Sequence, residues 1–335
     1  MTNHDLTSSP EQLSDQGPPA SNPALLERAQ IGDPARLDLR LRLVRLILRV
    51  TAKWPARTDL PVTFLRGKVD ARMRKSVRPV PGVSVTQTDL GGIRALQHTP
   101  ADARDGSWLL YLHGGGYFFG SPETHQELVS WLAKASRCCC LSVDYRLAPE
   151  HPFPAAVDDA YAAYLALLAR GADPQRIAIA GDSAGGGLAL ALLLRLRATG
   201  TPLPAAAALL SPLTDMTLRG ESLYLHANSD PMGAVAVSLL CAALYMGGGD
   251  PMAPEASPVY ADLTGLPPCL IQVGHDESLY SDSLRIAERL PAAGVPTRLE
   301  TWAWTPHVWQ MMARFLPQAR DAITRLGTFI QAHTA

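Results

Sequence analysis

Residues 176–188 read Arg176-Ile177-Ala178-Ile179-Ala180-Gly181-Asp182-Ser183-Ala184-Gly185-Gly186-Gly187-Leu188, and this stretch decides the fold. Its first half is a short apolar run of strand character. Gly181 to Gly185 then fits G-x-S-x-G, and an Ala/Leu-rich run over 184–199 has helical composition. Strand, sharp turn and helix in that order are the setting of a nucleophile elbow. The turn forces Ser183 into strained backbone, and small neighbours let strand, helix and substrate approach closely. It also puts the hydroxyl at the positive end of a helix, where developing negative charge is favoured. The competing reading is a capping serine in a glycine-rich turn.

Upstream, a second motif argues against that alternative. An apolar strand over 108–112 runs into His113-Gly114-Gly115-Gly116. Acyl transfer builds negative charge on the former carbonyl oxygen and needs donors aimed at it. A glycine loop offers backbone N–H groups with no side chain in the way. Gly115, Gly116 and Ala184, the residue after the nucleophile, are the expected oxyanion-hole donors. His113 is expected to brace the loop rather than to react. A phosphate-cradling loop is the rival reading, but no G-K-[ST] follows and no dinucleotide fingerprint is present.

Downstream, the chain order serine, acid, histidine places the base after Ser183. His226, His275, His307 and His333 are available. His333 is near the chain end and His226 lies in a segment without strands. His307 follows an apolar strand directly, where a sheet delivers residues to its active edge. Asp276 and Glu277 are adjacent, just after a strand over 269–273. Either carboxylate could orient an imidazole.

Around these motifs strands and helices alternate from residue 81 onward, which argues a mostly parallel sheet covered on both faces. The alternation breaks at 214–260, a stretch with helical character that reads as an inserted cap. Residues 34–54 and 61–76 read as two further helices, and Leu37, Leu41, Val44 and Leu48 form an apolar stripe on the first. Residues 34–78 carry 13 Lys and Arg against 3 Asp and Glu, a local charge of +10. Such a helix could lie on a lipid surface. The favoured reading is a cap whose apolar stripe packs on the body while its arginines face water. Residues 1–33 are expected to be a disordered tail, being polar and rich in Ser and Pro at their start. That start lacks the apolar core of a secretory signal.

The chain has 335 residues, 47% of them hydrophobic, enough for a sizeable core. A net charge of −1 gives no general case for nucleic acid. No window is apolar enough for stable membrane insertion. Five cysteines, three of them consecutive at Cys138, Cys139 and Cys140, suit buried free thiols and a cytoplasmic location.

Three stretches together resemble the bacterial hormone-sensitive-lipase family of carboxylesterases, the GDSAGG type within the α/β-hydrolase superfamily. They are residues 111–121 around the glycine loop, residues 144–156 (Asp144-Tyr145-Arg146-Leu147-Ala148-Pro149-Glu150-His151-Pro152-Phe153-Pro154-Ala155-Ala156) and residues 181–186, with His307-Val308-Trp309 matching as well. The resemblance covers the chain from about residue 81 to its end. It implies an eight-stranded, mostly parallel sheet with helices on both faces, and a cap built from residues 34–80 plus the 214–260 insertion. It implies hydrolysis of short-chain acyl esters, no metal or organic cofactor, and a homodimer through the sheet edge. It also informs the acid. Many members read Asp-Pro-Leu there, with leucine two residues after the catalytic aspartate; this chain departs from that triplet, but Leu279 stands two after Glu277. The triad implied is Ser183, Glu277 and His307, with Asp276 the alternative acid. An amidase or lactonase would use the same groups. A non-catalytic receptor on this fold would lack the base that His307 supplies.

Overall fold

The computed structural model describes residues 23–51, 62–233 and 235–335. The expected helix ends at 52–54 and 61, and most of the expected tail, lie outside the described residues.

The framework is a nine-stranded sheet: β1 (Leu26–Ile31), β2 (Val83–Leu90), β3 (Ile93–Pro100), β4 (Trp108–Leu112), β5 (Cys139–Val143), β6 (Ile177–Asp182), β7 (Ala206–Leu210), β8 (Cys269–Gly274) and β9 (Thr297–Trp302). Their order is β1-β9-β8-β7-β6-β4-β5-β3-β2. Only β3 runs against the rest, antiparallel to both β2 and β5. The inner strands β5, β6, β7 and β8 are buried along their whole length. That is why they read as unbroken apolar runs rather than alternating ones. All five cysteines are free and buried.

The ninth strand corrects the expectation of eight. Residues 26–31, assigned to a disordered tail, pair in parallel with β9 from Leu26↔Thr297 to Ile31↔Trp302. With Glu27, Arg28 and Gln30 among its six residues, β1 is a polar edge strand and carries no apolar signal to announce it.

Helices α4 (Ala155–Ala169), α5 (Ala184–Ala198) and α8 (Tyr280–Ala292) cover one face of the sheet, and α3 (Pro122–Ser136) and α9 (Pro317–His333) cover the other. After β9 the chain forms a 3-10 turn, Trp309–Met312, and then α9. Pro317 starts α9 because its missing N–H costs nothing at the first helical position. Between β7 and β8 lie α6 (Glu221–Leu225) and α7 (Val235–Met246), with no strand among the described residues. No helix among the described residues is long and apolar enough to cross a membrane.

Before β2 come α1 (Leu39–Thr51) and α2 (Val62–Ser76). On α1, Leu41 is buried and Val44 and Leu48 are half-buried; Leu37, just before the helix, is half-buried as well. Arg36, Arg40, Arg42 and Arg49 are exposed, but Arg45 is buried, so the expectation that the arginines face water fails at that position. Its guanidinium finds carbonyl and carboxylate partners below the helix.

Candidate active site

In a parallel sheet the carboxyl ends of the strands lie along one edge, and loops leaving that edge converge. Here β4 ends in the glycine loop, β6 in Ser183, β7 in Ser211, β8 in the Asp276–Glu277 loop and β9 in the His307 loop. The register aligns these ends: Leu112 pairs with Gly181, Asp182 with Leu210, and Gly274 with Trp302.

Ser183 sits between β6 and α5 at φ 53, ψ −121. This is strained backbone for a residue with a Cβ, and its hydrogen bonds hold it there. The Ser183 amide donates to the Leu210 carbonyl at 2.8 Å, and its carbonyl accepts from Gly186, Gly187 and Leu213 at 3.0, 3.2 and 2.9 Å. The flanking glycines answer to crowding. A Cβ on Gly181 would run into the Gly185 backbone, and one on Gly185 into the Leu112 carbonyl.

Glu277 is fully buried and its carboxylate is filled on both oxygens. Oε1 accepts from the Gly274 amide at 2.6 Å and the Ser211 hydroxyl at 2.9 Å, while Oε2 lies 2.8 Å from His307 Nδ1. Burial works against the charged form of His307. The hydrogen bond and charge of Glu277, with Asp230 and Asp182 adding, outweigh it and hold the ring above its ordinary value. Burial pushes the Glu277 carboxyl up, against the pull of His307. Asp276 turns elsewhere. Its Oδ2 lies 3.3 Å from Arg45 Nη2, and its Oδ1 lies 3.4 Å from His275 Nδ1. The structure therefore brings Glu277, not Asp276, to His307.

The glycine loop is held in an open turn. Gly115 and Gly116 have φ 119 and 59, and a Cβ on Gly115 would overlap the Phe119 carbonyl. That carbonyl is folded back because the Phe118 and Phe119 amides both donate to Gly115 O, at 3.1 and 3.0 Å. The amides of Gly115, Gly116 and Ala184 donate to no acceptor among the described residues. His113 braces the loop: its Nδ1 lies 2.8 Å from Gly114 O, and its ring stacks on Tyr145 with centroids 4.3 Å apart. Burial, with His125 nearby, lowers His113 to about 3, so the ring is neutral. His226 contacts Ser229 and its ring meets His275 edge-on with centroids 6.4 Å apart, and His333 contacts the Phe329 carbonyl.

Sequence reading missed the group that fixes the loop to the elbow. Asp182, the variable residue of G-x-S-x-G, is buried beneath Ser183. Its Oδ1 accepts from the Tyr111 hydroxyl at 2.6 Å and the Gly114 amide at 2.9 Å, and its Oδ2 lies 3.4 Å from His125 Nε2. Burial opposes the Asp182 charge, but His125, Tyr111 and Gly114 hold its carboxyl below the ordinary value. His125 is correspondingly raised, Asp182 overcoming the cost of burial. A carboxylate in an otherwise apolar elbow was the available signal. Ser211 and Asp230 were also missed, since neither lies in a recognisable motif.

The comparisons with known proteins agree with this architecture. A family model described as an alpha/beta hydrolase fold matches residues 109–311. An acetyl-hydrolase of Streptomyces hygroscopicus is 46% identical over 69% of this chain and 77% of its own length. An esterase of Acinetobacter venetianus is 34% identical over 84% of this chain and 93% of its own. The crystal structure of an esterase from the bacterial hormone-sensitive lipase family superposes with a TM-score of 0.85 at 44% identity, covering 90% of this chain and all of that one. With the elbow, glycine loop and His–Glu pair at one sheet edge, the chain belongs to the bacterial hormone-sensitive-lipase family of α/β hydrolases.

Proposed function

We propose that this protein is a carboxylesterase that cleaves short-chain acyl esters through an acyl-enzyme on Ser183. His307 takes the Ser183 proton on Nε2 as the oxygen attacks the ester carbonyl, while its Nδ1–H donates to Glu277. Glu277 fixes the ring orientation and favours the imidazolium that forms. The amides of Gly115, Gly116 and Ala184 receive the oxyanion. The imidazolium then returns the proton to the leaving alcohol. A water molecule attacks the acyl-enzyme by the same route, with His307 again the base.

The observation that carries this reading is the 2.8 Å contact of His307 with a buried carboxylate, at the sheet edge where a strained serine also emerges. Helices α1, α2, α6 and α7 serve as a cap that supplies apolar walls. The Cys241 thiol on α7 lies 3.1 Å from the Gly116 carbonyl and ties the cap to the oxyanion loop. The p-nitrophenyl ester series from acetate to palmitate tests the assignment, with anilides and lactones of matched acyl groups alongside. The expected result is the highest kcat/KM at acetate or butyrate and a fall toward palmitate. Turnover of anilides or lactones above the esters would move the assignment to those carbonyls. Absence of turnover on every ester would refute it.

A further inference from the structure

Arg45 is the buried exception among the α1 arginines, 7% exposed. Its Nη1 donates to the Trp304 carbonyl at 3.1 Å, and its Nη2 donates to the Ser229 carbonyl at 2.8 Å and lies 3.3 Å from Asp276 Oδ2. The guanidinium carbon stands 5.8 Å from the centre of the Trp304 ring. These partners are not scattered. Trp304 opens the loop that carries His307. Asp276 precedes Glu277. Ser229 precedes Asp230, whose Oδ2 accepts from the Ser278 amide at 2.9 Å, on the other side of Glu277. One side chain from the N-terminal helix thus grips the base loop, the acid loop and the β7–β8 segment together. The planar fork lets one rigid head reach two carbonyls and a carboxylate that come from three different segments. Trp304 is gripped a second time from the same end of the chain, its indole N–H donating to the Pro34 carbonyl at 3.0 Å.

We infer that Arg45 is a positioning residue for the ester hydrolysis proposed above: it sets the spacing of the Glu277 and His307 loops and neutralises Asp276 beside them. The charges around the pair are mixed. Glu277, Asp230 and Asp182 face His307 from three different segments. Around Arg45 stand Asp276, Asp230 and, on its own helix, Arg49, while His275 flanks Asp276. Removing the guanidinium leaves Asp276 as an unbalanced negative charge next to the acid loop. A nearby anion favours protonated imidazole, so the His307 base would be lost at a higher pH than in the parent.

The test uses the full chain with Arg45→Met, Arg45→Lys and the double variant Arg45→Met/Asp276→Asn. Each is measured for kcat and KM on p-nitrophenyl butyrate, with the active fraction titrated by its burst. The expected result for Arg45→Met is a kcat loss of about 10- to 100-fold, the scale on which small misplacements act, at nearly constant KM. The acid limb of its kcat/KM profile moves to higher pH. Adding Asp276→Asn returns the limb to the parent position. Arg45→Lys keeps the charge but loses the fork, so its limb stays while kcat falls. A folded Arg45→Met enzyme with parental kcat per active site and an unmoved limb overturns the inference. If that variant does not fold, parental kcat in Arg45→Lys overturns it instead. Ser183→Ala, assayed in parallel, separates this outcome from failure of the esterase reading itself: activity surviving there condemns the mechanism, not the role of Arg45.

Discussion

The strand-end site and the helices above it are built by opposite means. At the sheet edge the groups are buried or half-buried, and backbone atoms take part in many of the ties: Ser183 to Leu210 and Leu213, the Glu277 carboxylate to the Gly274 amide, the Gly114 amide to the Asp182 carboxylate. The helices above are tied by side chains reaching far along the sequence, such as Arg45 to Trp304 and Arg66 to the Phe118 carbonyl at 2.6 Å. They also leave Leu39, Leu43, Leu46, Ile47 and Val50 of α1 exposed. Backbone ties fix geometry before substrate arrives. Side-chain ties join the helices to the site at single points, so losing one weakens the site in part. Chemistry should therefore be lost abruptly by changes at the edge and in graded fashion by changes above it.

The largest effect expected is from Ser183→Ala, a loss of kcat of at least about 10⁴-fold, since a nucleophile has no substitute. Its melting temperature should stay close to the parent, because the hydroxyl makes no hydrogen bond among the described residues. Glu277→Gln comes next, with a loss of roughly 10³- to 10⁴-fold as the imidazole loses its partner. Asp276→Asn should cost far less. Steady-state rates of the two, side by side, check the difference, and a reversed order would break the assignment of the acid. Gly115→Ala should lower kcat by about 10²- to 10³-fold, because the Phe119 carbonyl leaves no room for a methyl group and the donors must shift.

The pH dependence has a definite sign. His307 must be neutral to accept a proton, and Glu277 holds it above the ordinary histidine value. The acid limb of kcat/KM should therefore have its midpoint above about 6.5. A limb below that value would contradict the His307–Glu277 pair as the active base. The smallest effect concerns stability. Burial pushes the Asp282 carboxyl up to about 7 from 3.8, the Thr214 amide opposing and Asp215 adding. A carboxyl raised in the folded state contributes stability at low pH and loses it as pH rises through the window between those values. Asp282→Asn keeps an acceptor for the Thr214 amide and removes the charge. Its melting temperature should gain on the parent between pH 5 and pH 8, by about a few degrees.

The two regions also differ in how far the amino-acid order discloses them. The elbow, the glycine loop and His307 were legible because each is a short run whose geometry is set by its neighbours. The parallel sheet was legible because buried strands are apolar along their length. Leu279 chose Glu277 over Asp276 only through the resemblance; the residues alone left the pair level. In the structure the Gly274 amide and the Ser211 hydroxyl hold Glu277 beside His307, and Arg45 lies against Asp276. Ser211 is 66 positions from Glu277, and no local pattern encodes such a meeting. Edge strand β1 was hidden for a related reason, since its order comes from β9 and not from its own polar residues. Asp182 was visible as a residue but not as a role, because its partners Tyr111 and His125 come from two other segments.

Trapping the acyl-enzyme shows which residue carries the acyl group. The enzyme is mixed with p-nitrophenyl butyrate, quenched in acid within the first turnover and digested, and the butyryl group is located by peptide mass analysis. The expected result is a nitrophenol burst matched to the active fraction, with the butyryl group on Ser183 and absent from the Ser183→Ala protein. A burst with the acyl group on another residue, or steady turnover that continues without Ser183, would contradict it.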